Sequence, residues 1–148
     1  MITKSLTKIF TRDLNKLKTE MMSYKQEENL WFLDKEITNS AGNLCLHIVG
    51  NINHFIGAIL GDTGYVRQRD LEFSLKNIVR TELIQQIDDT IQLVEHVLAK
   101  LSDIDLEKKY PLEVFNKPMT TDYFLIHLTT HLSYHLGQIN YHRRLTDL

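Results

Sequence analysis

Apolar residues that recur every three or four positions restrict the fold of this chain more than any other feature. A helix turns once in about 3.6 residues, so this spacing gathers apolar side chains on one face. One run predicts a first helix over residues 2–23. With only 6 glycines and 2 prolines in 148 residues, the chain has few turn residues for a many-stranded β fold. The clearest run begins near Thr81 and predicts a helix with a wholly aliphatic inner face: Ile84, Ile87, Ile91, Val94, Leu98 and Leu101.

Two further helices are predicted from capping residues and apolar spacing. Asn39 and Ser40 favour a helix start, and this helix would run to the glycine-containing turn at residues 61–64. The two threonines at residues 120–121 can begin a last helix that ends near Leu145. The apolar side of the second helix is expected to consist of Leu44, Ile48, Ile52, Phe55 and Ile59.

The connections between the middle helices are long. Tyr65–Ser74 lacks sustained periodicity and is expected to be a connecting loop. Residues 102–119 contain both prolines and are expected to include a short extended piece. Four helices of about 20 residues joined in this way predict an all-α four-helix bundle with long middle connections. The length of the chain predicts a single helical bundle domain over residues 1–148.

Charge and cysteine content limit the function. The formal net charge of -2 gives no basic surface for nucleic acid. No window reaches about 18 apolar residues, so we expect no transmembrane helix and no membrane partner. Cys45 is the single cysteine and cannot form an internal disulfide, which favours a cytoplasmic protein. It follows Leu44 on the apolar side of its helix, so we expect a buried, inert thiol.

Three of the 7 histidines lie four residues apart on the predicted last helix: His127, His131 and His135. Residues four apart on a helix differ by about 40° in direction and about 6 Å in height, so neighbouring members can bind one metal ion. His131 and His135 border the apolar face, whereas His127 lies further towards solvent. We therefore take His131 and His135 as the candidate ligands.

A catalytic metal site usually has three protein ligands and an open position, so a third histidine is needed. His47 and His54 lie on one flank of the second helix, and periodicity does not rank them. His96 lies opposite the aliphatic face of the third helix and is expected to be solvated. Leu132 stands where a thermolysin-like protease has its general-base glutamate, which disfavours such a protease.

The predicted loop carries four charged residues. Because it follows the histidine-bearing second helix, we expect this loop to border the site. We favour solvent-exposed side chains for all four charges. The alternative is a pocket rim in which the two arginines hold an anionic substrate. The four residues are Arg67, Arg69, Asp70 and Glu72.

Two segments resemble DinB-like proteins of the DinB/YfiT type, a damage-inducible family of four-helix bundles. HLSYHLGQI, at residues 131–139, resembles the HxxxHxGQ signature of the family's last main helix. GNLCLHIVGNINHFIGAILGDTGYVRQRDLEF, at residues 42–73, resembles the second helix of a subgroup of small proteins in that superfamily. The resemblance implies a metal site of three histidines, namely His47, His131 and His135. Relatives with known activity are S-transferases and isomerases that use bacillithiol or mycothiol with a divalent metal such as zinc or nickel.

The resemblance leads us to expect a metal-dependent transferase that joins a small thiol to an electrophilic substrate, with one zinc or nickel ion as cofactor. The alternatives are a metal-dependent hydrolase and a non-catalytic metal-binding module. We expect a thiol and an electrophile as partners, no nucleic acid and no membrane, and we keep a homodimer as an option. No catalytic residue is assigned. The side chains expected to line the pocket or to orient ligands are Asn51, Tyr134, Gln138, His127, Arg67 and Arg69.

Overall fold

Helices provide the regular structure of the computed structural model, which describes residues 2–148. In this part of the chain, the β-structure is limited to one isolated antiparallel bridge, which joins Lys109, within the segment expected to include an extended piece, to Thr120, just after that segment. The fold is therefore all-α, as predicted. The α-helices are α1 (Ile2–Ser23), α2 (Ala41–Ile52), α3 (Arg69–Ser74), α4 (Arg80–Ala99), α5 (Asp103–Glu107) and α6 (Thr121–Thr146). A 3-10 turn at Glu27–Trp31 precedes α2, and π-helical turns at Asn53–Leu60 continue it.

The long helices begin close to their predicted positions. Ser40 caps α2, because its hydroxyl oxygen accepts a hydrogen bond from the backbone N–H of Asn43 at 3.2 Å. This bond satisfies one of the amides that a helix leaves free at its start. Thr120 is the N-cap residue of α6, and α4 begins one residue before the predicted Thr81.

α1 and α2 each pack against both α4 and α6, so the four long helices form a bundle with α1 and α2 on one diagonal. The core lies between them, and each helix contributes side chains that are almost completely buried. Examples, one from each helix, are Leu14, Ile48, Ile87 and Leu132. This diagonal arrangement places α2 directly beside α6, the two helices that carry the candidate ligands.

α2 is buried on all sides from Ala41 to Ile52, and not on one side as the apolar spacing predicted. Its position explains the difference, because α2 also contacts α3 and the turn at Glu27–Trp31. Trp31 covers Gly42, where a Cβ atom would lie 2.7 Å from the indole ring. A helix enclosed in this way is apolar around its whole circumference.

The combined helix Ala41–Leu60 is long and apolar enough to cross a membrane by length and composition, with a mean hydropathy of 1.3. This finding corrects the expectation that no such segment exists. In the fold, 67% of the apolar window is buried inside the protein. Such burial is typical of the core helix of a helical bundle.

The inner face of α4 is not wholly aliphatic, because it includes Thr90, which is fully buried. The Thr90 hydroxyl donates to the Gln86 carbonyl at 2.7 Å and accepts from Nδ2 of Asn53 at 2.9 Å. These bonds allow the polar side chain to be buried. Ile84, which was expected on the inner face, is half-buried.

The connection after α2 is not a loop throughout. α3 occupies the second half of the predicted loop Tyr65–Ser74 and packs against α2. Its Glu72 is buried in this contact. Six residues are too few to display a helical period, and the packing against α2 is what defines this helix.

Candidate metal centre

α2 and α6 run antiparallel and bring three histidines together. Phe55 lies against Phe124 with ring centroids 5.0 Å apart. His47, earlier in α2, lies against His131 and His135, which come later in α6. Nε2 of His131 is 3.1 Å from Nε2 of His47 and 3.1 Å from Nε2 of His135. One nitrogen atom from each ring lies within 4.8 Å of the other two.

The other ring nitrogens of His47 and His135 each face an oxygen atom. Nδ1 of His47 is 3.0 Å from Oε1 of Glu72, and Nδ1 of His135 is 2.7 Å from Oε1 of Gln138. A carboxylate oxygen and an amide oxygen only accept hydrogen bonds, so Nδ1 carries the proton in both rings. A neutral ring protonated at Nδ1 has its lone pair at Nε2. Both Nε2 lone pairs therefore point into the cluster.

Burial keeps two imidazoles of the cluster, those of His131 and His135, neutral. Burial, followed by the charges of His135 and His47, lowers the pKa of His131 to about 3. Burial also lowers the pKa of His135 and outweighs the opposing hydrogen bond to Gln138. Metal ions bind the neutral form of imidazole. At neutral pH, these two rings need not lose a proton to become ligands.

Glu72 and Arg67 form a buried ion pair behind His47. Nε and Nη2 of Arg67 donate to the two carboxylate oxygens of Glu72, each at 2.9 Å. The side chains of Arg67 and Glu72 are 12% and 7% exposed, so the expectation of two solvated charges is wrong. Burial raises the pKa of Glu72, but the hydrogen bonds from His47 and Arg67 outweigh it and leave the pKa below its ordinary value. An ionised Glu72 fixes the orientation of the His47 ring.

Glu72 approaches His47 across a part of α2 that has no side chain. A Cβ atom at Gly50 would overlap the carboxylate of Glu72. A glycine inside a helix costs stability and often marks a close approach of another group. Gly50 was therefore the available sequence signal for Glu72, although it does not say which side chain takes the space.

The remaining histidines considered as ligands lie outside the cluster. His54 is half-buried on the π-helical turns and is not part of the cluster. The fold instead brings His47, the other candidate from the second predicted helix, to the pair on α6. His127 lies against the rings of Phe115 and Phe124, at the edge of the bundle. His96 is exposed, as predicted.

The other side chains expected to line the pocket lie at different distances from the three-histidine cluster. Gln138 contacts the cluster through His135. Tyr134 is 66% exposed and lies edge-on to the His135 ring, with centroids 5.3 Å apart. Arg69 is exposed, and its guanidinium lies over an aromatic ring outside the cluster. Asn51 is buried on α2, one turn after the histidine of that helix.

Two cavities are each lined by a residue that hydrogen-bonds to one of the three histidines, although no histidine of the cluster lines either cavity. Gln138 helps to line a cavity of about 340 Å³ near the end of α6. Gly50 and Glu72 help to line another, of about 410 Å³, between α2, α3 and α4. Either volume can accommodate a small molecule.

Cys45 takes no part in the cluster. The residue is completely buried, as predicted, and burial raises the pKa of its thiol to about 12. At neutral pH the thiol is therefore protonated, and a protonated thiol is a poor nucleophile and a poor metal ligand.

The donor set fits a divalent metal ion. His131 can donate at most one proton from Nε2, although Nε2 atoms of two other rings face it, so a cation satisfies the cluster better than hydrogen bonds do. Two imidazole nitrogens bound to one tetrahedral zinc ion lie about 3.3 Å apart, close to the 3.1 Å separations observed. Within residues 2–148 the cluster consists of three histidines, and no further histidine, cysteine, aspartate or glutamate belongs to it.

Comparison with known proteins identifies a family. The family DUF1572, described as "Protein of unknown function", matches residues 4–147 of the chain. No curated protein matches the sequence. The site itself is therefore the basis for inferring the function.

Proposed function

Because the chain belongs to the DUF1572 family of proteins of unknown function, we propose its function from the site: His47, His131 and His135 bind one divalent metal ion in a DinB-like bundle. The convergence of three Nε2 atoms carries this proposal, since Glu72 and Gln138 occupy the Nδ1 side of two of the rings. Imidazole ligands suit zinc and nickel, the two ions expected from the DinB-like resemblance.

The number of ligands favours a catalytic site over a structural one. Structural zinc sites are closed by four protein ligands, whereas catalytic sites have three and an open position. The described part of the chain offers three. When bound, a divalent ion supplies a Lewis acid that stabilises a thiolate or hydroxide at neutral pH.

We assign the protein S-transfer from a low-molecular-weight thiol to an electrophilic small molecule. The thiol sulfur forms a bond to the electrophilic carbon, the leaving group departs with its bonding electron pair, and the thiol proton passes to solvent. Glu72 favours this reaction over hydrolysis, because His47 and Arg67 engage both of its oxygens and leave this carboxylate unavailable as a general base for water. The cytoplasm keeps small thiols reduced and is the compartment we propose.

Elemental analysis of protein purified without a His-tag tests the metal site. We expect about one divalent ion per chain, and loss of the ion in His47→Ala, His131→Ala and His135→Ala. His96→Ala is the matched control and should retain the ion. Unchanged metal content in all three ligand variants would refute the site. Loss in His127→Ala, with retention in His131→Ala or His135→Ala, would show that the wrong pair has been assigned.

A thiol-dependence assay tests the reaction. A chlorinated nitroarene should be consumed faster with protein and thiol together than with either alone, using bacillithiol, mycothiol, glutathione and cysteine as the thiols. The excess rate should vanish in His135→Ala or with a chelator. If no thiol gives an excess and a panel of esters and amides is hydrolysed instead, the protein is a hydrolase. If neither panel reacts and the ion is present, the protein is a non-catalytic metal-binding module.

A further inference from the structure

Asn51 carries a buried polar atom without a partner. Its Oδ1 has no hydrogen-bond partner among residues 2–148, and the residue is 7% exposed. In that part of the chain, no other fully buried side-chain nitrogen or oxygen lacks a partner. Folded proteins pair nearly all such atoms, because a buried amide oxygen without a hydrogen bond is unfavourable. The buried oxygen of Asn51 is therefore unfavourable for the stability of the fold unless it is paired.

The position of Asn51 places this atom beside the three-histidine cluster. His47 lies one turn before Asn51 on α2, and Phe55 lies one turn after it. Residues four apart share a helix face, and both of these neighbours contact α6, at His131 and Phe124 respectively. The register therefore places Asn51 on the α6 side of α2, between the cluster and the pair of phenylalanine rings.

Asn53, on the π-helical turns that continue α2, is an asparagine with a structural role. Nδ2 of Asn53 donates to the Val49 carbonyl at 2.8 Å and to the Thr90 hydroxyl at 2.9 Å. Asn53 thus links the helix to α4, whereas Oδ1 of Asn51 links to nothing in the described chain. Asn51 makes no such link to residues 2–148, and its buried acceptor is available to a bound group.

We infer that Asn51 is a ligand-binding residue, whose Oδ1 accepts a hydrogen bond from an N–H or O–H group of the molecule that binds the metal. The inference rests on the proposed function, because it needs the ion at the three histidines. Asn51 lies about 6 Å along the helix from His47, so the donor group must be a few bonds from the metal-binding atom. The ligand class is a small thiol with a nearby hydroxyl, amine or amide.

An apolar thiol would leave the Asn51 oxygen unpaired. A site built to hydrogen-bond a polar group rejects an analogue that lacks the group, because its own polar atom then stays buried without a partner. Asn51 would therefore select between thiols that bind the metal equally well through sulfur.

Cobalt(II)-loaded protein provides the test, because sulfur-to-cobalt charge-transfer absorption reports thiol binding without catalysis. The two probes are 2-mercaptoethanol and propane-1-thiol, which differ by a hydroxyl in place of a methyl group. We compare the ratio of their dissociation constants in the wild type with that in Asn51→Leu. The wild type should favour 2-mercaptoethanol about tenfold more than the variant does, the effect of one good hydrogen bond.

Thermal unfolding separates a binding role from a structural one. Asn51→Leu should leave Tm unchanged or raise it, because the substitution removes a buried unpaired oxygen. Asn53→Leu, the matched control, should lower Tm, since the buried Thr90 hydroxyl oxygen loses the donor that Asn53 provides. A fall in Asn51→Leu as large as that in the control would overturn the inference, as would an unchanged ratio of dissociation constants.

The metal content distinguishes failure of the Asn51 inference from failure of the proposed metal site. Cobalt uptake by the wild type with no change in the thiol ratio would refute the role of Asn51 alone. A wild type that takes up no cobalt would refute the metal site itself, and the inference with it.

Discussion

The carboxylate of Glu72 lies against the bare backbone of Gly50, and this contact lets a residue of α3 hold His47 on α2. The helix would be more stable on its own with alanine at this position, because glycine has a low helix propensity. The close approach of Glu72 therefore explains a residue that the helix alone would not favour. It also makes the orientation of His47 sensitive to a single methyl group.

Gly50→Ala is expected to displace Glu72 and to weaken metal binding. Loss of an oriented partner behind a metal ligand costs about 10–100-fold in affinity, which titration with zinc can measure. Gly137→Ala is the matched control, because a Cβ at Gly137 meets nothing within 4 Å. The control should retain affinity and gain about 0.5–1 kcal/mol of stability. Equal zinc affinity in the two variants would contradict the role of Glu72.

Arg67→Gln is expected to destabilise the fold by about 3 kcal/mol, because it leaves the buried carboxylate of Glu72 without its cation. Arg69→Gln, in contrast, removes an exposed charge and should change the free energy of unfolding by less than about 0.5 kcal/mol. Chemical denaturation measures both values.

Binding of an anionic thiol tests the same two arginines at the site. Calorimetry with mercaptoacetate and zinc-loaded protein should detect weaker binding in Arg67→Gln and unchanged binding in Arg69→Gln. Equal affinities in both variants and in the wild type would mean that neither arginine attracts the anion.

His142 is expected to make stability depend on pH. Its Nδ1 accepts from the Tyr24 hydroxyl at 2.7 Å, and its Nε2 donates to the Phe32 carbonyl at 2.8 Å. Burial lowers the pKa of His142 below its ordinary value of 6.5 and outweighs the opposing hydrogen bond to Phe32. Below pH 6.5 the unfolded chain therefore binds a proton that the folded chain does not, so stability is lost as pH falls.

Chemical denaturation of the wild type and of His142→Gln between pH 7 and pH 5 can isolate this effect. The wild type should lose more stability than the variant over this range, by at most about 1.4 kcal/mol per pH unit for one group. His96→Gln, on the exposed side of α4, should follow the wild type. Parallel pH profiles for His142→Gln and the wild type would exclude this explanation.

Cys45 is expected to resist thiol reagents while the protein is folded. Burial raises its pKa to about 12, and access requires opening of the bundle. An aromatic disulfide reagent should react with the native protein much more slowly than with free cysteine, and at a similar rate once guanidinium unfolds the chain. Rapid reaction of the native protein would show that Cys45 is accessible.

The spacing of apolar residues was sufficient to predict the long helices, because such a period is a property of a single segment of the chain. Ser40 could be identified as a cap for the same reason, since its hydroxyl bonds to the backbone three residues later. The spacing of apolar residues did not predict the structure where several helices pack together. Thr90 is buried with a partner, Asn53, from another helix, and α3 packs against α2, where Glu72 meets His47.

The sequence by itself determined that His131 and His135 share one helix face, because residues four apart do so wherever the helix packs. Periodicity left His47 and His54 equal and the resemblance of residues 42–73 implied His47, but only the tertiary structure shows that His47 faces α6. It also decided that Glu72 stands behind the cluster and is not solvated. These choices depend on how α3 and α6 pack against α2, and the packing of side chains between helices is a joint property that no single segment encodes.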